Sequence, residues 1–461
     1  MVFTSTIFLF MFFAVTLMLY YVLGSRFSNL VLLFMSLAFY TWGEPRHIFI
    51  MVISIVVNYL LGLLIDRQQE KIMRSGLMIT AVVFNLGILF YFKYFNFLID
   101  TMNRFLTNDI TVRSIALPIG ISFYTFQIMS YVIDVYKKNV PVQKNILHLA
   151  LYISFFPQLI AGPIVRYIDI EKQLKKRTVT VDKFYEGVIR FTCGFSKKVL
   201  LADQLAPLVD IAFGDLNNKA LLCWVGIISY TLQIYYDFSG YSDMAIGMGK
   251  MFGFDFMENF NYPYVSKSIK EFWRRWHISL STWFRDYVYI PLGGSRCNRG
   301  RQYFNLIIVF FLTGLWHGAS FNFIFWGLYY VVFLIAERMG LGRLLEKIPA
   351  WMQHLYAMFV VLIGWVFFRA DTLTAAVRYI KNMFTFDEGA YVNLAINMNR
   401  QYWFCILAGI LLAIPHTNVL KYLRKRKGYD GLQGIAALAV FVIAICYLVG
   451  TGFSPFLYFR F

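Results

Sequence analysis

Thr313-Gly314-Leu315-Trp316-His317-Gly318-Ala319-Ser320 lies near the middle of residues 302–336, a run of 35 residues without one Asp, Glu, Lys or Arg. As a single straight helix at 1.5 Å per residue this run would be ~52 Å long, well beyond the ~30 Å hydrocarbon core of a bilayer. It must tilt strongly or break, and two glycines around a histidine mark the break. His317 is the sixteenth of the 35 residues and is therefore expected near mid-membrane. An ionisable group at that depth is costly and points by default to function.

The rest of the composition agrees. Of 461 residues, 59% are hydrophobic, and the 31 glycines bring the apolar class to about 66%, against ~45–50% in soluble domains. The formal charge of +18 would suggest a nucleic acid partner in a soluble protein, but charged residues are only 15% and cluster between long apolar runs. That is the pattern of a membrane protein with basic cytoplasmic loops, and no nucleic acid partner is expected. Aromatic residues number 89, more than two interfacial belts need, so many must line the interior. Cys193, Cys223, Cys297, Cys405 and Cys446 share no CxxC spacing, which indicates neither a disulfide framework nor a thiolate metal site.

Segments of spanning length are 2–23, 46–65, 76–99, 115–136, 146–165, 220–249, 302–336, 351–368, 402–420 and 431–453. Residues 28–42 are too short to span upright, and 184–213, with Arg190, Lys197 and Lys198, reads as an interfacial helix. The fold class is thus all-α: a polytopic membrane protein of about ten or eleven crossings, with re-entrant and interfacial helices around a central tunnel. One domain over 1–461 is expected, with peripheral helices over 1–114, a catalytic core over 115–340 and C-terminal helices over 341–461. The basic loops 66–75, 137–144 and 166–183 belong inside, and 100–114, where Asp100 and Asp109 balance Arg104 and Arg113, belongs outside. Loops 137–144 and 166–183 cannot share a side if 146–165 crosses once. Because that segment contains Pro157 and Ala161-Gly162-Pro163, it is expected to be re-entrant, with its irregular backbone buried in protein. The basic loops 250–301 and 421–427 pose the same problem downstream.

Three centres could carry chemistry. His317 is the first, since a neutral imidazole suits a general base that takes a proton from a hydroxyl. His47, His148, His354 and His416 lie near segment ends, where an interfacial role is the plainer reading. The second centre is the loop from Lys250 to Arg301, with Asn259 to Tyr264 followed by Phe272 to Tyr287, where Trp273, Trp276, Leu280, Trp283, Phe284 and Tyr287 recur at helical spacing as one aromatic stripe. The other face carries Arg274, Arg275, Ser281 and Arg285, and His277 borders the stripe. The plainer reading is an amphipathic helix at the headgroups, yet guanidinium groups among rings also fit a phosphorylated donor such as coenzyme A. The third centre is Gln233 to Asp243, a stretch that includes Tyr241 and in which two carboxylates, Asp237 and Asp243, interrupt an otherwise uncharged run. Either carboxylate could orient a histidine or pair with arginine, although Asp-x-Ser-Gly is also good turn chemistry. Lys93 can snorkel from near a helix end, and Asp134 has Lys137 and Lys138 at i+3 and i+4.

These stretches resemble the membrane-bound O-acyltransferase family in its bacterial polysaccharide O-acetyltransferase branch. The resemblance rests on Ser154 to Pro163, Asp237 to Asp243, Glu258-Asn259-Phe260, Phe272 to Tyr287, Tyr289 to Gly294, Gly314 to Ser320, Gly364 to Ala370 and Phe456 to Phe461. It implies a ring of tilted helices around a thin centre, with His317 as the essential histidine and His277 as the second active-site position. It also implies acetyl transfer from a cytoplasmic donor, acetyl-CoA or an acyl carrier, toward an extracytoplasmic polysaccharide such as alginate or peptidoglycan, in the cell membrane of a bacterium. A separate membrane-anchored or secreted O-acetyltransferase partner is expected, together with membrane lipids and no bound cofactor or metal. Trp273, Arg274, Arg275, Trp276, Ser281, Trp283, Arg285, Asp237, Tyr241, Asp243 and Trp316 are the candidates for substrate contact or tunnel lining. Two alternatives remain: D-alanyl transfer to teichoic acid from a carrier-protein thioester, and, outside enzymes, a glycan transporter or flippase.

Overall fold

A computed structural model describes residues 3–106, 110–112, 114–160, 162–215, 217–415, 422, 426, 428–451, 456 and 457. Asp109, Arg113, Ala161, His416, most of the basic stretch 421–427 and most of the closing Phe456-to-Phe461 motif lie outside the described residues. Every regular element described is helical. Five helices there are long and apolar enough to cross a bilayer: Ile48–Arg67, Lys71–Asn103, Phe321–Leu345, Ala350–Arg369 and Tyr429–Gly450. The ten apolar segments outnumber them because several are shorter or broken. The first becomes Phe8–Val22 and the segment at 402–420 becomes Arg400–Leu412, both below spanning length. Large side chains on the long helices, such as Phe49, Val83, Val332, Phe359 and Val442, are exposed as bilayer-facing residues would be.

The chain divides into two compact units, one of Met1–Phe191 with Met244–Met257, the other of Thr192–Asp243 with Glu258–Phe461. In the first, Phe3, Phe8, Phe12, Phe39 and Phe156 pack ring against ring at 4.9 to 6.5 Å, which takes up part of the aromatic surplus as ordinary core. The segment at 146–165 forms only Ile146–Ser154 and the single turn Phe156–Leu159, with Phe155 in a non-helical conformation between them. Nine residues of helix rise only about 13 Å, and residues 155–160 and 162–165 are buried, as a re-entrant backbone requires. Helices Ile48–Arg67 and Lys71–Leu89 are joined by a reciprocal amide pair, in which Asn58 and Asn85 donate to one another at 3.1 and 2.7 Å.

The second unit contains the break expected in 302–336. Helix Arg299–His317 ends on the histidine, Gly318 is extended, and Phe321–Ala336 begins after Ser320. The glycines serve close approach: a Cβ at Gly314 would lie 2.2 Å from the carbonyl oxygen of Phe323, and one at Gly327 would lie 2.2 Å from that of Phe310. The two helices therefore pack backbone to backbone, and Gly314→Ala is expected to destabilise the protein by about 1–3 kcal/mol through overpacking. A melting curve in detergent tests this; an unchanged midpoint would mean that the hairpin is looser than described.

Residues 272–287 do not form the single helix that their spacing predicts. They split into Ile269–Arg275 and Ile278–Phe284, with His277 left-handed at φ 45° between them. The cause is tertiary. Ile278 N–H donates to the Asn259 carbonyl at 2.9 Å and Asn261 N–H donates to that of Arg275 at 2.9 Å, so the Asn259–Asn261 segment takes hydrogen bonds a continuous helix would have used.

Candidate active site

Both histidines of interest are buried, with His277 1% and His317 4% exposed. The His317 ring meets Trp316, Trp326 and Phe368 edge-on at 5.1, 5.1 and 5.2 Å. Its position at a helix end, fixed by the Gly314 and Gly318 contacts, holds the imidazole in this aromatic collar. His277 packs edge-on against Phe238 at 4.7 Å and Trp316 at 6.0 Å, so the Trp316 indole touches both imidazoles. Positive φ costs a non-glycine residue about 1–3 kcal/mol and tends to cluster at functional sites. Here the Asn259 hydrogen bonds on either side of the turn hold it. His277 lies outside the five spanning helices, and burial lowers its pKa to about 3, so its ring is neutral throughout the physiological range.

The two imidazoles line one cavity of about 830 Å³, within the ~300–1,000 Å³ usual for small-molecule sites. Trp273, Arg274, Ser281 and Arg285 line it too, joined by Lys267, Lys270, Arg338 and Arg343. Six cations thus meet three carboxylates, Glu271, Glu337 and Glu346, giving the cavity an anion-attracting lining. On the other side His317 borders a second space of only about 20 Å³, with Asp237, Phe238, Trp276, Trp365, Phe456 and Leu457. The structure therefore gathers five of the sequence candidates with His317 around the larger cavity, His277 among them and Trp316 not, and Asp237 and Trp276 around the smaller.

The remaining candidates are occupied otherwise. Arg275 pairs with Glu271 at 2.9 Å and donates to the Asn261 carbonyl at 3.0 Å. Trp283 packs on Phe284 and Tyr287, and Tyr241 on Phe456 at 4.9 Å. Asp243 pairs with Lys197 at 2.6 Å. Asp237 is tied to Lys198 at 2.6 Å and accepts the Leu457 N–H at 2.9 Å, which makes it a structural anchor beside the smaller space. Lys198 also reaches Asp203 at 2.5 Å; burial works against its ammonium, but the two carboxylates outweigh that and hold its pKa above the ordinary value.

Sequence reasoning passed over Asn259, which holds the His277 turn, and the four rim cations Lys267, Lys270, Arg338 and Arg343. The signal for Arg338 and Arg343 was their place directly after the longest uncharged run; Asn259 stood in the Glu258-Asn259-Phe260 stretch of the family resemblance, but its sequence neighbours gave it no role. Of the other histidines, His47 pairs with Glu44 at 2.5 Å and His354 contacts the Ser266 carbonyl at 3.1 Å. Among the described residues no group of three or more His, Cys, Asp or Glu side chains could hold a metal ion.

Residues 37–373 match the family described as MBOAT, membrane-bound O-acyltransferase family. Over the full length of both chains the sequence is 41% identical to a probable alginate O-acetylase AlgI of Azotobacter vinelandii. It is 31% identical to a peptidoglycan O-acetyltransferase of Helicobacter pylori, over 100% of this chain and 98% of that one. A teichoic acid D-alanyltransferase of Bacillus subtilis is also 31% identical, over 47% of this chain and 58% of its own.

Proposed function

This chain belongs to the membrane-bound O-acyltransferase family and is an O-acyltransferase, and from that premise we propose that it acetylates a polysaccharide outside the bacterial inner membrane with acetyl-CoA drawn from the cytoplasm. The observation that carries the reading is the shared cavity: two buried imidazoles at its wall and six cations in its lining. A charged coenzyme cannot cross hydrocarbon, whereas its acyl-bearing arm can enter an aromatic cavity while its phosphates remain with Arg guanidinium forks and Lys ammonium groups. Alginate and peptidoglycan, the polymers named for the full-length relatives, favour a polysaccharide acceptor over the partial match to a D-alanyltransferase.

In the reaction proposed, His317 accepts the proton of the acceptor hydroxyl as its oxygen attacks the thioester carbonyl. The new C–O bond forms, the C–S bond breaks, and the thiolate leaves to take up a proton. The buried Ser279 hydroxyl lies 3.5 Å from His277 Nδ1 but donates to the Asn259 amide oxygen at 2.8 Å, which supports direct transfer over a seryl intermediate. A membrane-anchored or secreted transferase completes delivery to the polymer.

The test is reconstitution in vesicles with such a partner, labelled acetyl-CoA on the cytoplasmic side and acceptor on the other. Label on the far-side acceptor is expected. Label that arrives only from an acyl carrier protein would replace the donor, and a glycan that crosses unacetylated would replace the enzyme by a transporter.

A further inference from the structure

The hydrogen bonds around Asn259 determine which nitrogen of His277 carries the proton. Asn259 is 1% exposed and one of its terminal atoms meets three groups: the Ser279 backbone N–H at 3.2 Å, the Ser279 hydroxyl at 2.8 Å and His277 Nδ1 at 3.1 Å. A backbone N–H only donates, so the atom facing it must be the amide oxygen, and the other terminus is left to donate to Ser242 Oγ at 3.0 Å. An amide oxygen only accepts. Its contact with Nδ1 is a hydrogen bond only when Nδ1 bears the hydrogen. Ser279 Oγ, 3.5 Å from Nδ1, is the weaker neighbour and has its own hydroxyl 2.8 Å from the same oxygen.

A neutral imidazole has one N–H, so a hydrogen on Nδ1 leaves Nε2 with a lone pair. Nε2 is buried and has no hydrogen-bond partner among the described residues, while the residue lines the large cavity together with His317. A buried acceptor left unsatisfied costs free energy, and one standing beside a cavity is satisfied when a ligand brings a donor.

We infer that Asn259 is a positioning residue: it fixes the His277 proton on Nδ1, so that Nε2 accepts a hydrogen bond from an N–H or O–H group of the bound substrate and does not donate to the thioester carbonyl. The inference rests on the acyl-transfer reading for the identity of the substrate. The tautomer itself does not.

The test is the nitrogen NMR spectrum of the full chain in lipid nanodiscs with 15N-labelled histidine, the His277 signals being identified by their loss in His277→Gln. A single neutral form with protonated Nδ1 and bare Nε2 is expected, the bare nitrogen shifting when substrate binds. Asn259→Asp, which keeps an acceptor oxygen, should retain that form, and Asn259→Leu should mix the two tautomers. In the transfer assay Asn259→Leu is expected to lower kcat about tenfold or more, the effect of losing one hydrogen bond, with KM for the donor little changed and kcat recovered in Asn259→Asp. A wild-type His277 with its proton on Nε2, or an Asn259→Leu variant that keeps the wild-type tautomer, would overturn the inference. Because the wild-type tautomer is read without turnover, it stands even if acetyl transfer is never observed, in which case the reaction assignment alone fails.

Discussion

Replacing His317 with alanine is expected to lower acetyl transfer by about 10²–10⁴-fold, the range a positioned general base contributes, while the protein still folds. The imidazole is 4% exposed and borders both the large cavity and the smaller space that Asp237 and Leu457 close. Its neighbours are rings: Trp316, Trp326 and Phe368. None of these three can accept a hydroxyl proton. Removing a base used in the chemical step lowers kcat and leaves donor KM nearly unchanged. His317→Gln, which keeps bulk and polarity without the basic nitrogen, should lose activity to a similar extent and so separates chemistry from packing. The rate of label transfer per folded molecule checks both variants, and transfer at the wild-type rate by either would remove His317 from the role of base.

The second large effect falls on stability. Lys198→Met should cost about 3–5 kcal/mol, the loss typical of a buried ion pair deprived of one partner. Lys198 is 4% exposed and holds two carboxylates, Asp203 at 2.5 Å and Asp237 at 2.6 Å. Without the ammonium, two like charges remain close together in a buried setting. The double variant Lys198→Met with Asp237→Asn removes one of those charges and keeps an oxygen for the Leu457 N–H, so it should recover part of the loss. Thermal melting in detergent measures the series. A double variant as unstable as the single would mean that the cluster's stabilisation is not electrostatic.

Much of the site was legible because its elements carry local signals. An uncharged run too long for the bilayer had to break, and glycines at 314 and 318 marked where; the structure ends a helix on His317 and shows that the glycines are there for backbone contact with the facing helix. Segment 146–165 was equally readable, since Pro157 and conflicting loop charges ruled out a simple crossing. The period of the aromatic residues over 272–287 misled, because Trp273, Trp276, Trp283 and Phe284 satisfy a helical spacing across a break that periodicity cannot register. Asp237 looked like a site carboxylate or a turn former and serves as an anchor for Lys198 and the Leu457 backbone, a pairing of residues 39 and 220 positions apart.

The amino-acid order alone determined the solvent and the class of fold: an apolar composition, charge confined to short loops and helix-length hydrophobic runs leave a multi-helix membrane protein as the stable solution, since every backbone group must be satisfied within the protein. It also singled out His317, because a histidine between glycines in an uncharged run is costly unless used. Only the tertiary structure decided which candidates share a cavity, that cations from the 267–285 and 338–343 stretches converge there, and that Asn259 bends the chain at His277 and holds its ring. The physical reason is range. Hydrophobic patterning acts over a turn or two of helix and is visible in sequence, whereas hydrogen-bond partners and convergent charges are set by contacts between residues far apart along the chain.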